Sequence, residues 1–112
     1  MKMKIKHDDI QKFFEVSMLD DGREIGYISF VIERSGKFKG WARAINVKIN
    51  EQYWNKGIAT KMYKRAFKWA IRKGYKGIYS NPSMRISEYV DRIWEKIGTS
   101  KIGRFDIMQN LN

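Results

Sequence analysis

Apolar residues recur along residues 58–73 at the spacing of an α-helix. Ile58, Met62, Ala66 and Ala70 form one stripe, and Tyr63, Phe67 and Ile71 lie one step round from it. Lys61, Lys64, Arg65, Lys68, Arg72 and Lys73 take the other side, and Gly74 follows as a left-handed stop. The pattern predicts an amphipathic helix packed on a sheet. Upstream, residues 13–19 and 25–33 read as strands, and Asp20-Asp21-Gly22-Arg23 between them predicts a tight turn, so the two form an antiparallel hairpin. A second turn, at residues 35–40, leads into a strand over residues 41–49. Its alternation is broken, as expected of a central strand covered on both faces.

After the helix, residues 77–80 form a short apolar run. A strand–helix–strand passage of this length is a crossover, so the strands on either side of the helix should lie parallel. Ile86, Tyr89, Val90, Ile93, Trp94 and Ile97 then give a second helical face, ended by Gly98. Residues 102–108 read as one or two last strands. Residues 1–9 alternate Met or Ile with Lys before His7-Asp8-Asp9, which fits either an edge strand or a frayed basic start. With no repeats and no linker, residues 1–112 are expected to form one α+β domain: an antiparallel N-terminal meander, a parallel pair joined by a helix, a second helix and C-terminal strands.

Composition narrows the chemistry. The chain has 43% apolar and 14% aromatic residues, enough to fold despite a net charge of +11. That charge points to an acidic partner such as a phosphate-rich ligand, a nucleic acid or an acidic protein, or to a solvated lysine-rich surface. The absence of Cys excludes disulfides, thiolate metal sites and a cysteine nucleophile, and no metal site is expected. With His7 as the one histidine, a Ser-His-Asp triad is disfavoured. No apolar run is long enough to span a bilayer and the start lacks a signal-peptide pattern, so the default expectation is cytoplasmic.

The turn Trp54-Asn55-Lys56-Gly57-Ile58-Ala59-Thr60 joins the strand to the first helix. A strand running through a small-residue turn into a helix leaves backbone N–H groups unpaired at the positive end of the helix dipole, which makes an anion site.

This order of elements, with two local motifs, resembles the GNAT superfamily of acyl-CoA-dependent N-acetyltransferases. Residues 47–60 are similar to that family's apolar strand followed by Q/R-x-x-G-x-G/A, with Trp54 at the Q/R position and Gly57 and Ala59 at the small ones. Residues 87–98 resemble its second signature, N-x-x-A-x-x-L-Y-E-K-L-G-F, with Trp94 at the tyrosine and Thr99 after the glycine. The resemblance covers residues from about 11 to 109. It implies acetyl-CoA as cosubstrate. Its pyrophosphate would rest on Trp54, Asn55, Lys56, Gly57, Ile58, Ala59 and Thr60, and its pantetheine would pair with backbone at Val47 and Ile49. The slot would open where the parallel strands part, at Ile49 and Ile78.

The resemblance also poses the catalytic question. Trp94 replaces the tyrosine that commonly protonates the leaving thiolate, and an indole N–H is not a useful acid. Tyr89 and Tyr79 are the replacement candidates. For the base, residues 41–49 hold no carboxylate, which leaves Glu33, Asp106, or a water held by Asn46. Family members usually carry a strand and two helices before the hairpin, whereas here only residues 1–12 precede it. An open acceptor site is therefore expected, suited to an amine on a macromolecule, foremost a protein, with a homodimer partner as one way to supply the wall. The competing expectation is a non-catalytic protein of this fold that contacts nucleic acid or an acidic protein through its basic surface.

Overall fold

The computed structural model describes residues 1–84, 88–97 and 100–109. Strands Lys2–Asp8 (β1), Phe13–Asp20 (β2), Arg23–Ile32 (β3), Ala42–Ile49 (β4), Gly77–Ser80 (β5), Ser100–Ile102 (β6) and Phe105–Gln109 (β7) form one sheet in the order β1-β2-β3-β4-β5-β7-β6. Helices Ile58–Arg72 (α1) and Glu88–Ile97 (α2) connect β4 to β5 and β5 to β6. The β4–β5 pair is parallel and the other pairs are antiparallel, so the fold is the expected α+β mixed sheet. Ile86 and Gly98, predicted as the first and stop residues of the second helix, lie outside the described residues, as do Ser87 and Thr99.

The choice left open at the start of the chain resolves as an edge strand: β1 pairs along β2 from Lys2↔Leu19 to Asp8↔Phe13. Met3 and Ile5 pack against the core while the lysines between them face away, and lysines on an edge strand discourage pairing with another chain. The hairpin between β2 and β3 turns through Asp21 (φ 52°) and Gly22 (φ 76°), both left-handed as a two-residue hairpin turn requires. Helix α1 ends as predicted, with Gly74 at φ 92° and its N–H donated to the Ile71 carbonyl.

Both helices pack on the same face of the sheet. Phe14 lies over Phe30 (4.6 Å between ring centres) and Trp69 (4.3 Å), and Tyr63 meets Trp94 at 4.8 Å; burying each such ring is worth about 1.5–3 kcal/mol. On the opposite face a smaller cluster joins Phe38 and Trp41 to Tyr79 and Ile107. Gly77 brings β5 close to β7, because a Cβ there would overlap the Met108 carbonyl oxygen.

Strand β4 departs from expectation. It is central in the sheet but not covered on both faces, since Ile45, Asn46 and Lys48 are exposed. The β3–β4 register shifts by one residue, pairing Ser29 with Asn46 but Phe30 with Ala44, so Ile45 is an extra, bulged residue. The bulge returns Val47 and Ile49 to the core face already used by Ala42 and Ala44. The broken alternation thus records a change of phase, not burial on both sides.

Candidate functional site

The parallel strands touch only at Ala42↔Ile78 and Arg43↔Tyr79. Beyond that rung β5 ends within a residue, and the edge of β4 from Ala44 onward has no strand partner on that side among the described residues. The parting therefore begins just past Arg43 and Tyr79 and not at Ile78, which is paired with Ala42. An open strand edge of this kind can take an extended ligand as an added half-strand. Val47 lies along the open stretch. The Ile49 carbonyl at its end accepts a hydrogen bond from the Trp54 indole Nε1 at 2.7 Å.

The turn after β4 runs through a short 3₁₀ segment, Glu51–Tyr53, into α1. Asn55 (φ 62°) and Gly57 (φ 77°) are both left-handed, and Gly57 is the N-cap residue with no side-chain cap. The Lys61 N–H gives the first helical hydrogen bond, to the Gly57 carbonyl at 3.2 Å. The N–H groups of Ile58, Ala59 and Thr60 precede the ladder and have no acceptor within it. A Cβ built on Gly57 would meet no protein atom within 4 Å, so the space in front of it is open. That space is a shallow pocket whose walls are Asn55, Gly57, Ile58, Ala59 and Thr60 on one side and Tyr89, Arg92, Ile93 and Lys96 of α2 on the other.

Trp54 and Lys56 support this pocket without lining it. The Trp54 ring stacks on Tyr89, with 4.3 Å between centres and 13° between planes. The Lys56 ammonium lies 5.7 Å from the centre of the Tyr53 ring. Tyr53 anchors the loop to β2 by donating its hydroxyl to Asp20 at 2.7 Å, a bond that raises the phenol's pKa.

A second constellation stands at the closed end of the slot. Arg43 Nε donates to Glu33 Oε1 at 2.6 Å, and the Tyr79 hydroxyl donates to the same oxygen at 3.0 Å. Glu33 Oε2 has no protein partner among the described residues. Burial first, and then the bond to Glu33, hold Tyr79 well above the ordinary tyrosine pKa of 10.0. Asn46 is exposed, paired opposite Ser29. Tyr79 belongs to the Phe38 cluster and Tyr89 packs against the main core, so the two tyrosines sit on opposite faces of the sheet. Burial raises the Tyr89 pKa as well. Trp94 is 1% exposed in the core, and Asp106 is buried with the Lys101 ammonium 2.8 Å from Oδ1.

Sequence reasoning missed Arg92 and Lys96, although their i, i+4 spacing puts them on one side of α2 with Tyr89 and Ile93. It also missed Arg43 as the partner of Glu33. Among the described residues no His, Cys, Asp and Glu group is arranged to hold a metal, and no helix is long and apolar enough to cross a membrane.

Comparison with known proteins bears on the fold and the family. A family model described as the acetyltransferase (GNAT) family matches residues 3–98. No curated protein sequence is similar enough to this chain to count as a relative. Among solved structures, a candidate GNAT-family acetyltransferase from Desulfovibrio desulfuricans superposes with a TM-score of 0.72 at 11% identity, over 88% of this chain and 69% of that one. An acetyltransferase of the same family from Staphylococcus aureus gives 0.69 at 13% identity, over 89% and 69%. An aminoglycoside N-acetyltransferase solved with CoA gives 0.67 at 14% identity, over 83% and 72%. These likenesses establish the fold, and with the family model spanning residues 3–98 the chain belongs to the acetyltransferase (GNAT) family.

Proposed function

We propose that this protein transfers the acetyl group of acetyl-CoA to an amine borne by a macromolecule, foremost a protein. The single observation that carries the reading is the continuity of two features: the open edge of β4 leads at one end to the Gly57 cradle and at the other to Glu33. The cradle suits a phosphate, because unpaired N–H groups face a space that Gly57 leaves empty and two cations border it. When bound, acetyl-CoA supplies a thioester whose C–S bond breaks as the C–N bond forms.

The chain's own residues do the rest. The turn and helix N-terminus hold phosphate, and the β4 edge at Val47 orients an extended ligand and offers N–H to a polarised carbonyl. Glu33 takes the proton from the incoming ammonium through Oε2, while Arg43 and Tyr79 fix its other oxygen. Tyr79 is a positioning residue in this scheme: a phenol held above its usual pKa is a poor acid toward a thiolate of pKa about 8.5. Tyr89 walls the phosphate pocket with its ring against Trp54, and burial raises its pKa as well, so it too is a poor acid for the thiolate, which takes its proton from solvent. Asn46, exposed beside the slot, is placed to hold a water there.

A macromolecular acceptor is favoured because both helices pack on the other face of the sheet, leaving the Glu33 face without a helix among the described residues. The test is incubation with acetyl-CoA and lysine-containing peptides, followed by thiol release and an acetyl mass gain. Tight binding of acetyl-CoA with no thiol release on any amine would instead favour the non-catalytic reading, to which the burial of Trp94 at the usual acid position lends support.

A further inference from the structure

The geometry points to a phosphate grip supplied by the second helix: we propose that Arg92 and Lys96 of α2, facing Gly57 and Thr60 across the pocket, bind the phosphates of the acyl-CoA. The inference rests on the reading of the Gly57 turn as the CoA site and adds the source of its charge.

The turn itself is poor in usable cations. Trp54 stands at the position where the motif carries Gln or Arg, and its indole is committed to the Ile49 carbonyl and to Tyr89. Lys56, the one basic residue of the turn, has its ammonium over the Tyr53 ring. A bound CoA brings several negative charges, and backbone N–H groups with a helix dipole balance only part of that.

Helix α2 carries what the turn lacks. Arg92 and Lys96 are one helical turn apart and both line the pocket. Lys96 has no ion-pair partner among the described residues, and Arg92 has only a loose, exposed contact with Glu88 at 4.0 Å. Both side chains are therefore free to turn onto an anion. The Trp54–Tyr89 stack fixes the distance between turn and helix, so one aromatic contact sets the width of the phosphate site. Trp54 gives up a charged contact and places the helix that replaces it.

Calorimetric titration with CoA tests this on three proteins: the unmodified chain, R92Q/K96Q, and K64Q/K68Q. The last removes the same charge from exposed positions of α1 that do not line the pocket. Circular dichroism and melting confirm that each is folded. The proposal expects R92Q/K96Q to bind CoA about ten- to a hundredfold more weakly, and with a shallower salt dependence, while K64Q/K68Q stays within about threefold of the unmodified chain. Equal losses in the two variants would assign the effect to overall charge and overturn the proposal, as would R92Q/K96Q binding as tightly as the unmodified chain. If the unmodified chain itself fails to bind CoA, the reading of the turn falls and the proposal with it.

Discussion

Arg43 and Tyr79 are the last residues at which β4 and β5 face each other, and both donate to one oxygen of Glu33. The rung that closes the slot also holds the carboxylate proposed to take a proton from the amine. Side chains from β4, from β5 and from just past the end of β3 meet there, so the proposed base is fixed by the same contact that sets where the strands part.

If Glu33 is that base, Glu33→Gln lowers acetyl transfer to a lysine peptide by about 100-fold and leaves acetyl-CoA affinity unchanged. Glutamine keeps the shape and can still accept from Tyr79. A transfer rate within a few-fold of the unmodified protein would remove Glu33 from the mechanism and return attention to a water on Asn46.

Tyr79 has a consequence at alkaline pH. Its folded pKa is raised above 10.0, so the stability it contributes is fully present below about pH 10 and is lost as pH rises toward the folded value. Near neutrality, Tyr79→Phe should cost about 1 kcal/mol for the lost hydrogen bond to Glu33. At pH 11 the unfolded tyrosine is mostly ionised while the folded one is not, so the gap of about 1 kcal/mol closes. Urea unfolding at pH 8 and pH 11 reads this directly. A gap that does not change would show that Tyr79 ionises equally in both states.

Gly77 makes a packing prediction. A methyl group there would collide with the Met108 carbonyl, so Gly77→Ala must push β7 from β5 and should destabilise by about 2 kcal/mol or more. Gly36→Ala is the comparison, with a left-handed backbone (φ 80°) but nothing within 4 Å of the new Cβ, and should cost about 1 kcal/mol. Thermal melts of the two variants would contradict this if Gly36→Ala proved the more damaging.

Much of the fold was legible because neighbouring residues along the chain carried it. Helix α1 separates apolar from basic residues so cleanly that its span and Gly74 stop could be read directly. The turn before α1 was legible for the same reason, since Trp54 to Thr60 are consecutive. Strand β4 was misread because a bulge at Ile45 and burial on both faces each break an alternating pattern, and only the pairing of Ser29 and Phe30 tells them apart. The opening of the slot was misplaced because a parallel pair that stops after two rungs leaves no mark in either strand. Glu33 and Tyr79, 46 residues apart, and the approach of Arg92 and Lys96 to Gly57 are juxtapositions of distant segments made by the sheet and the packing of α2. No local spacing encodes them.

The most direct test of the account is calorimetric titration of the protein and its Gly57→Glu variant with acetyl-CoA. Glutamate would strain the left-handed turn by about 1–2 kcal/mol and put a negative side chain into the space left open for phosphate. The account predicts binding near the micromolar range for the unmodified protein and none for the variant, with both proteins folded. No binding by the unmodified protein, or equal binding by the two, would contradict it.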